Sequence, residues 1–146
     1  MREETFEFVI PLKIILNSNQ KLNHYDAAAR RRKIRAMAFK EFIARNANKP
    51  YDEPQFHQFE AIVHVCPPTR RRIDPPNLYP TVKPIIDAGS TPNPNRRGEV
   101  GCGLWEDDDW TRLHEMSFRY GGLSGIPKHY KIKLTLIECP PKEVME

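Results

Sequence analysis

The sequence predicts an α/β fold: a two-layer domain in which a small mixed β-sheet packs against two main helices. Three observations carry that expectation. Apolar residues alternate with polar ones near both ends of the chain and in its middle, the period of a half-buried strand. Between these stretches lie two segments whose apolar residues recur at three- and four-residue steps, the period of a helix face. The order strand, helix, strand, helix, strand, strand then suits a two-layer domain with a mixed sheet. At 146 residues the chain is expected to form one domain over 1–146.

Each element has its own signature. In "TFEFVIPLKIIL", residues 5–16, Phe6, Phe8, Ile10 and Leu12 alternate, and Pro11 marks an edge strand or a bulge. "NSNQKLNHY" is a polar connector. From Asp26 to Arg45 a helix is expected, because three alanines favour it and Ile34, Met37, Ala38 and Phe42 share a face. A second strand covers 56–65, with Phe59, Ala61, Val63 and Val65 on one side, and Pro67 and Pro68 stop it. A second helix starts at Asp74-Pro75, where the carboxylate can cap free N–H groups and proline suits the first position. Pro80 and Pro84 would lie inside it, each costing roughly 3 kcal/mol and kinking it. Leu78, Val82, Ile85 and Ile86 fall on one side of this helix. Asn77, Lys83 and Asp87 fall on the other, together with both interior prolines. Gly89 ends it. The Pro-, Asn- and Gly-rich loop from 90 to 103 is expected to be mobile. Strands over 111–120 and 128–138 complete the domain, the last with Tyr130, Ile132, Leu134 and Leu136 alternating.

Composition narrows the function classes. Hydrophobic residues make up 39% and charged residues 29%, which fits a globular rather than a disordered chain. No apolar run is long enough to span a bilayer, and "MREETFEFVIPLKIIL" lacks the order of a signal peptide. Cys66, Cys102 and Cys139 are odd in number, with no CxxC pair, which argues against a disulfide framework and a structural zinc site. A cytoplasmic protein with reduced thiols is expected. The net charge of +4 points mildly to an anionic partner.

Three features can carry chemistry. Lys83 and Asp87 stand one turn apart, as a plain i,i+4 salt bridge would, although a metal ion or a phosphate would suit them equally. In "LWEDDDW" the adjacent carboxylates of Glu106, Asp107, Asp108 and Asp109 repel one another. Such a run is commonly a solvated turn; a bound cation would relieve it, and oxygen ligands suit Mg²⁺ or Mn²⁺. The first helix carries Arg30, Arg31, Arg32 and Arg35, with Asn19, Lys21 and Tyr25 before it, and Arg70, Arg71 and Arg72 precede Asp74. A solvated face explains such a run as well. Cationic surface beside acids is nonetheless the pattern of metal-assisted hydrolysis of a polyanion.

"LNSNQKLNHY" before a basic helix, "RRRIDPPN" before a second helix, "IIDA" at its end and "GLWEDDDW" before a strand together resemble the RusA-like family of Holliday junction resolvases, found in bacteria, prophages and phages. The resemblance covers most of the chain and rests on the order and spacing of these pieces. It implies a homodimeric, Mg²⁺-dependent endodeoxyribonuclease that cuts four-way DNA junctions in recombination, repair or phage DNA processing, in a bacterial cell or a phage-infected host. The family draws its acids from an Asp-x-Asp-Asn motif and a later Asp-Asp pair, with a lysine in the intervening helix. Asp74 matches the first acid, Asn77 the asparagine, Asp107 and Asp108 the later pair, and Asp87 an acid at the helix end. The motif's second aspartate falls on Pro76 and its lysine on Pro80. Lys83, one turn further on, points to a similar side.

The resulting expectation has Asp74, Asp87 and Asp108 as metal ligands, with Asp107 and Lys83 catalytic beside them. Asn19, Lys21, Tyr25, Arg30, Arg31, Arg32, Arg35, Arg70, Arg71, Arg72 and Asn77 would contact DNA. The competing expectations are a protein that binds branched DNA without cutting it, and a metal-dependent hydrolase of nucleotides.

Overall fold

The computed structural model describes residues 2–96 and 98–140. Its sheet has the order β1-β4-β2-β3, with β1 (Glu3–Pro11), β2 (Phe59–Cys66), β3 (Leu113–Tyr120) and β4 (His129–Glu138). β4 runs antiparallel to both β1 and β2, whereas β3 runs parallel to β2. The sheet is therefore mixed. Parallel neighbours need a crossover rather than a hairpin. The link from β2 to β3 contains the helix α2 (Tyr79–Gly89), and α1 (His24–Ala44) joins β1 to β2, which are themselves parallel with β4 between them.

One sheet face and the two helices make the core. Phe6, Phe8 and Ile10 of β1, Ala61, Val63 and Val65 of β2, and Ile132, Leu134 and Leu136 of β4 are all buried. They meet Ile34, Ala38 and Phe42 of α1 and Val82, Ile85 and Ile86 of α2. Phe42 is the central ring, edge-on to Phe6 at 4.8 Å and Phe8 at 5.2 Å. The opposite face is polar: Thr5 and Thr135 hydrogen-bond across strands at 2.9 Å, and Lys131 and Lys133 flank Glu7.

The structure departs from the sequence expectations at several points, each with a local cause. β1 ends at Pro11, which has no N–H for the ladder, and Leu12 opens a 3-10 turn (Leu12–Ile14) in which its side chain is exposed rather than in the core. α1 starts at His24, because the Asn23 side chain accepts the Asp26 N–H at 2.9 Å and caps it. β2 begins at Phe59, and Phe56 instead pairs with Trp105 in an isolated bridge.

The proline-rich segment is two elements, not one kinked helix. A 3-10 turn spans Pro75–Leu78 and α2 follows from Tyr79. Pro80 thereby falls in the first turn of α2, where a missing N–H costs nothing. Only Pro84 is interior, and it is buried. Asp74 precedes the 3-10 turn without capping it: the main-chain carbonyl of Asp74 accepts the Asn77 N–H, and the carboxylate makes no cap.

Gly101, Cys102 and Gly103, at the end of the 90–103 loop expected to be mobile, are buried. Cys102, Leu104 and Trp105 are fully buried, and Cys102 N–H donates to the Ala88 carbonyl at 2.8 Å while its own carbonyl accepts from Tyr51 at 2.8 Å. Trp105 lies across the end of α2, where an added Cβ on Gly89 would meet its ring at 2.2 Å. Gly89 is thus required by the tryptophan. Burial holds the Cys102 thiol up at about 11, so it stays protonated at neutral pH, and burial likewise raises the Cys66 thiol. No helix among the described residues is long and apolar enough to cross a membrane.

Candidate functional site

α2 presents Lys83 and Asp87 one turn apart on its half-buried side. The buried Trp105, whose indole N–H donates to the Ser90 hydroxyl at 2.8 Å, anchors the acidic run directly over the last turn of this helix. The run then divides. Asp108 turns toward α2 and accepts from the Lys83 ammonium at 2.5 Å, while Asp87 accepts from the same ammonium at 2.8 Å. Glu106 and Asp109 turn away and pair with Arg112 at 2.9 and 3.0 Å. Glu106, Asp108 and Asp109 thereby pair with two internal cations, while Asp107 accepts the Asp108 N–H at 2.8 Å.

Lys83 is the hub. Burial alone would lower its pKa, but the hydrogen bonds to Asp108 and Asp87 more than reverse this and hold the ammonium above its usual range. Two carboxylates share one positive charge, so the triad keeps a net negative charge beside solvent. Its side chains are a quarter to two-fifths exposed, at 39% for Lys83, 31% for Asp87 and 24% for Asp108. At Asp109 the main effect is a hydrogen bond from the Thr111 hydroxyl, which with Arg112 holds its carboxyl below the ordinary range.

Lys83 and Asp87 meet the basic helix in one place. A cleft of about 500 Å³ is lined by Arg31, Arg32 and Arg35 of α1, Lys83 and Asp87 of α2, and Arg96 of the loop. A neighbouring recess of about 510 Å³ shares Arg35, Lys83, Asp87 and Arg96 with it and adds Asp107. Arg96 and its ion-pair partner Glu99, at 3.3 Å, were not singled out by the sequence. Their only signal is charge within a loop of otherwise turn-type composition.

The basic residues do not act alike. Arg31 and Arg32 are exposed along the cleft, whereas Arg30 donates to the Ile15 carbonyl at 2.9 Å and Arg35 to the Val100 carbonyl at 2.7 Å. Arg30 and Arg35 therefore pin neighbouring segments. Asn19, Lys21, Tyr25, Arg70, Arg71 and Arg72 are exposed, Tyr25 at 83%. Asn77 docks the connector before α1, its carbonyl accepting the Ser18 N–H at 2.9 Å. Thr81, unremarked in the sequence, completes that junction: its buried hydroxyl accepts the Leu16 N–H at 2.8 Å and donates to the Leu16 carbonyl at 2.6 Å. A threonine on an apolar helix face was the available clue.

Asp74 is exposed, ahead of the 3-10 turn and beyond the far end of α2 from Asp87. The helical rise from Tyr79 to Asp87 alone is about 12 Å. Asp74, Asp87 and Asp108 are thus not gathered as one ligand set, and among the described residues no three His, Cys, Asp or Glu side chains are grouped to hold a metal ion. Asp87 and Asp108 are gathered as a pair. A hard cation such as Mg²⁺ commonly takes one or two carboxylates and completes its shell with water and phosphate oxygens, which this all-oxygen pair fits. No protein-family model matches the chain, and no curated protein matches it.

Proposed function

We propose that the chain is a divalent-cation-dependent endodeoxyribonuclease acting on branched DNA, four-way junctions above all. The observation that carries this is the Lys83 ammonium, which joins Asp87 to Asp108 while Lys83 and Asp87 line one cleft with Arg31 and Arg32. The order of sequence motifs that resembles RusA-like resolvases supports it independently.

Asp87 and Asp108 would hold Mg²⁺ or Mn²⁺, with Asp107 on the adjoining wall. Bound there, the cation supplies an activated water and charge neutralisation at the scissile phosphate. The chain's own groups do the rest. Lys83, released from one carboxylate, turns its ammonium toward the phosphate and offsets the charge that builds on it. Arg31 and Arg32 bind backbone phosphates along the cleft. Arg70, Arg71 and Arg72, with Asn19, Lys21 and Tyr25, hold duplex arms through contacts that read branch shape rather than base sequence. Asp74 and Asn77 keep the match to the family's first acid and asparagine, and the Asp74 side chain makes no cap hydrogen bond to the 3-10 turn.

A second possibility is a protein that binds branched DNA without cutting it, favoured by Pro76 at the position of the family's second acid. Incubating the purified chain with a labelled four-way junction, with Mg²⁺ or with a chelator, separates the two. Symmetric Mg²⁺-dependent cuts support the nuclease. Retention of uncut junction under both conditions supports the binding protein. Stronger competition by mononucleotides than by junction DNA would contradict both.

A further inference from the structure

The loop from 90 to 103 brings one acid, Glu99, into the basic cleft. Its two carboxylate oxygens take different partners. Oε1 accepts from the Arg96 guanidinium at 3.3 Å, and Oε2 lies 3.8 Å from a terminal nitrogen of Arg35. Both separations exceed the roughly 2.8 Å of a well-formed charge-assisted hydrogen bond. Glu99 is loosely held between two cations.

The loop does not depend on that carboxylate. Arg35 Nε donates to the Val100 carbonyl at 2.7 Å, and Cys102 N–H donates to the Ala88 carbonyl at 2.8 Å. These bonds fasten the backbone to α1 and α2, so the Glu99 side chain can leave while the chain stays. The Arg35 fork keeps its orientation as well. Its Nε is spent on Val100, which fixes the guanidinium plane and leaves the terminal nitrogens to another acceptor.

Glu99 stands where a phosphate would. A phosphodiester carries one negative charge and two non-bridging oxygens, the same charge and the same pair of acceptors as a carboxylate, and arginine forks suit either. Among the described residues lining the cleft, five cations face two acids, Asp87 and Glu99. Asp87 is bound to Lys83, so Glu99 is the acid set against the arginines.

We propose that Arg35 and Arg96 form a subsite for one backbone phosphate of the substrate, and that Glu99 fills it until that phosphate displaces it. The proposal rests on the reading of the cleft as a polyanion site, but not on cleavage there. An isolated anion gains little more from the two arginines than Glu99 already provides. A backbone held at the same time by Arg31 and Arg32 gains more, so the internal acid selects for a chain of phosphates over a single one.

Binding of a labelled four-way junction, measured in a chelator, tests the subsite. Glu99→Gln should tighten binding by about fivefold, because two weak exposed ion pairs no longer have to be broken. Its urea midpoint should match the wild type; a lower midpoint would make Glu99 a structural tie and overturn the proposal. Glu3→Gln removes the same charge from the exposed outer side of β1 and should change affinity less than twofold. Arg96→Gln should weaken binding, and in that background Glu99→Gln should lose most of its gain. No gain from Glu99→Gln, an equal gain from Glu3→Gln, or an undiminished gain without Arg96 would each overturn the subsite. A chain that shows this pattern but never cuts in Mg²⁺ contradicts the nuclease reading alone; one that cuts, with Glu99→Gln binding no tighter, contradicts the subsite alone.

Discussion

The Lys83 ammonium reaches across 25 positions of sequence to the Asp108 carboxylate at 2.5 Å while holding Asp87, its neighbour one helical turn away, at 2.8 Å. That contact joins the two chemistry-bearing segments of the chain. It fixes the acidic run over α2 and leaves one carboxylate charge uncompensated at the mouth of a cleft walled by Arg31 and Arg32.

Replacing Lys83 with methionine leaves the two carboxylates facing each other. Because these side chains are up to 39% exposed, solvent screens the interaction and the loss should be about 1 kcal/mol in urea unfolding at neutral pH. The folded-state pKa of Lys83 is raised above its unfolded value near 10.4. Its stabilisation is therefore fully present below about pH 10 and fades as pH rises through the folded value. The stability difference between wild type and Lys83→Met should be flat from pH 7 to about pH 10 and shrink above that.

Thr81→Val keeps the shape of the side chain and removes both hydrogen bonds to Leu16, leaving a buried N–H and a buried carbonyl unpaired. A loss of about 1–3 kcal/mol is expected in chemical denaturation. Hydrogen exchange at the Leu16 amide should accelerate more than at the Val63 amide in the centre of the sheet.

At Gly89 an alanine methyl would overlap the Trp105 ring, 2.2 Å away. Overpacking of this kind costs about 1–3 kcal/mol. The same substitution should also shift the indole fluorescence, since Trp105 must move, whereas the exposed Trp110 need not.

The arginines of α1 should separate by role. Glutamine at both Arg31 and Arg32 should weaken junction binding and reduce the slope of log K against log salt by about 2, one for each lost phosphate contact. Glutamine at Arg30 should instead cost about 1 kcal/mol of stability, because its guanidinium holds the Ile15 carbonyl, with a smaller change in slope. Equal slopes for both variants would contradict this division.

What the sequence made legible was periodic. Phe6, Phe8 and Ile10, the alternation of Ile132, Leu134 and Leu136, and the four-residue steps of Ile34, Ala38 and Phe42 announce which faces are buried, and the structure buries them. The i,i+4 pairing of Lys83 with Asp87 was equally visible. What escaped depends on partners distant in sequence. Leu12 fits the alternation, but Pro11 ends the strand before it. Pro80 reads as an interior helix proline, yet the 3-10 turn before α2 places it in that helix's first turn. Trp105 reads as a flank of the acidic run, yet it fills the core against Phe42 and Phe59 and leaves Trp110 outside. Arg30 and Arg35 read as two more charges on a basic face, and only the fold shows the carbonyls that hold them.

Cleavage of a labelled four-way junction by Asp108→Asn, set beside its affinity for the same junction, tests the central claim most directly. The substitution keeps the side chain's size and removes the charge that Asp108 shares with Lys83 and Asp87. The rate in Mg²⁺ should fall by about 10²-fold or more, as when a group stabilising the transition state is lost, while junction binding changes little. Cleavage at the wild-type rate would contradict the assignment of this cleft as the site of reaction.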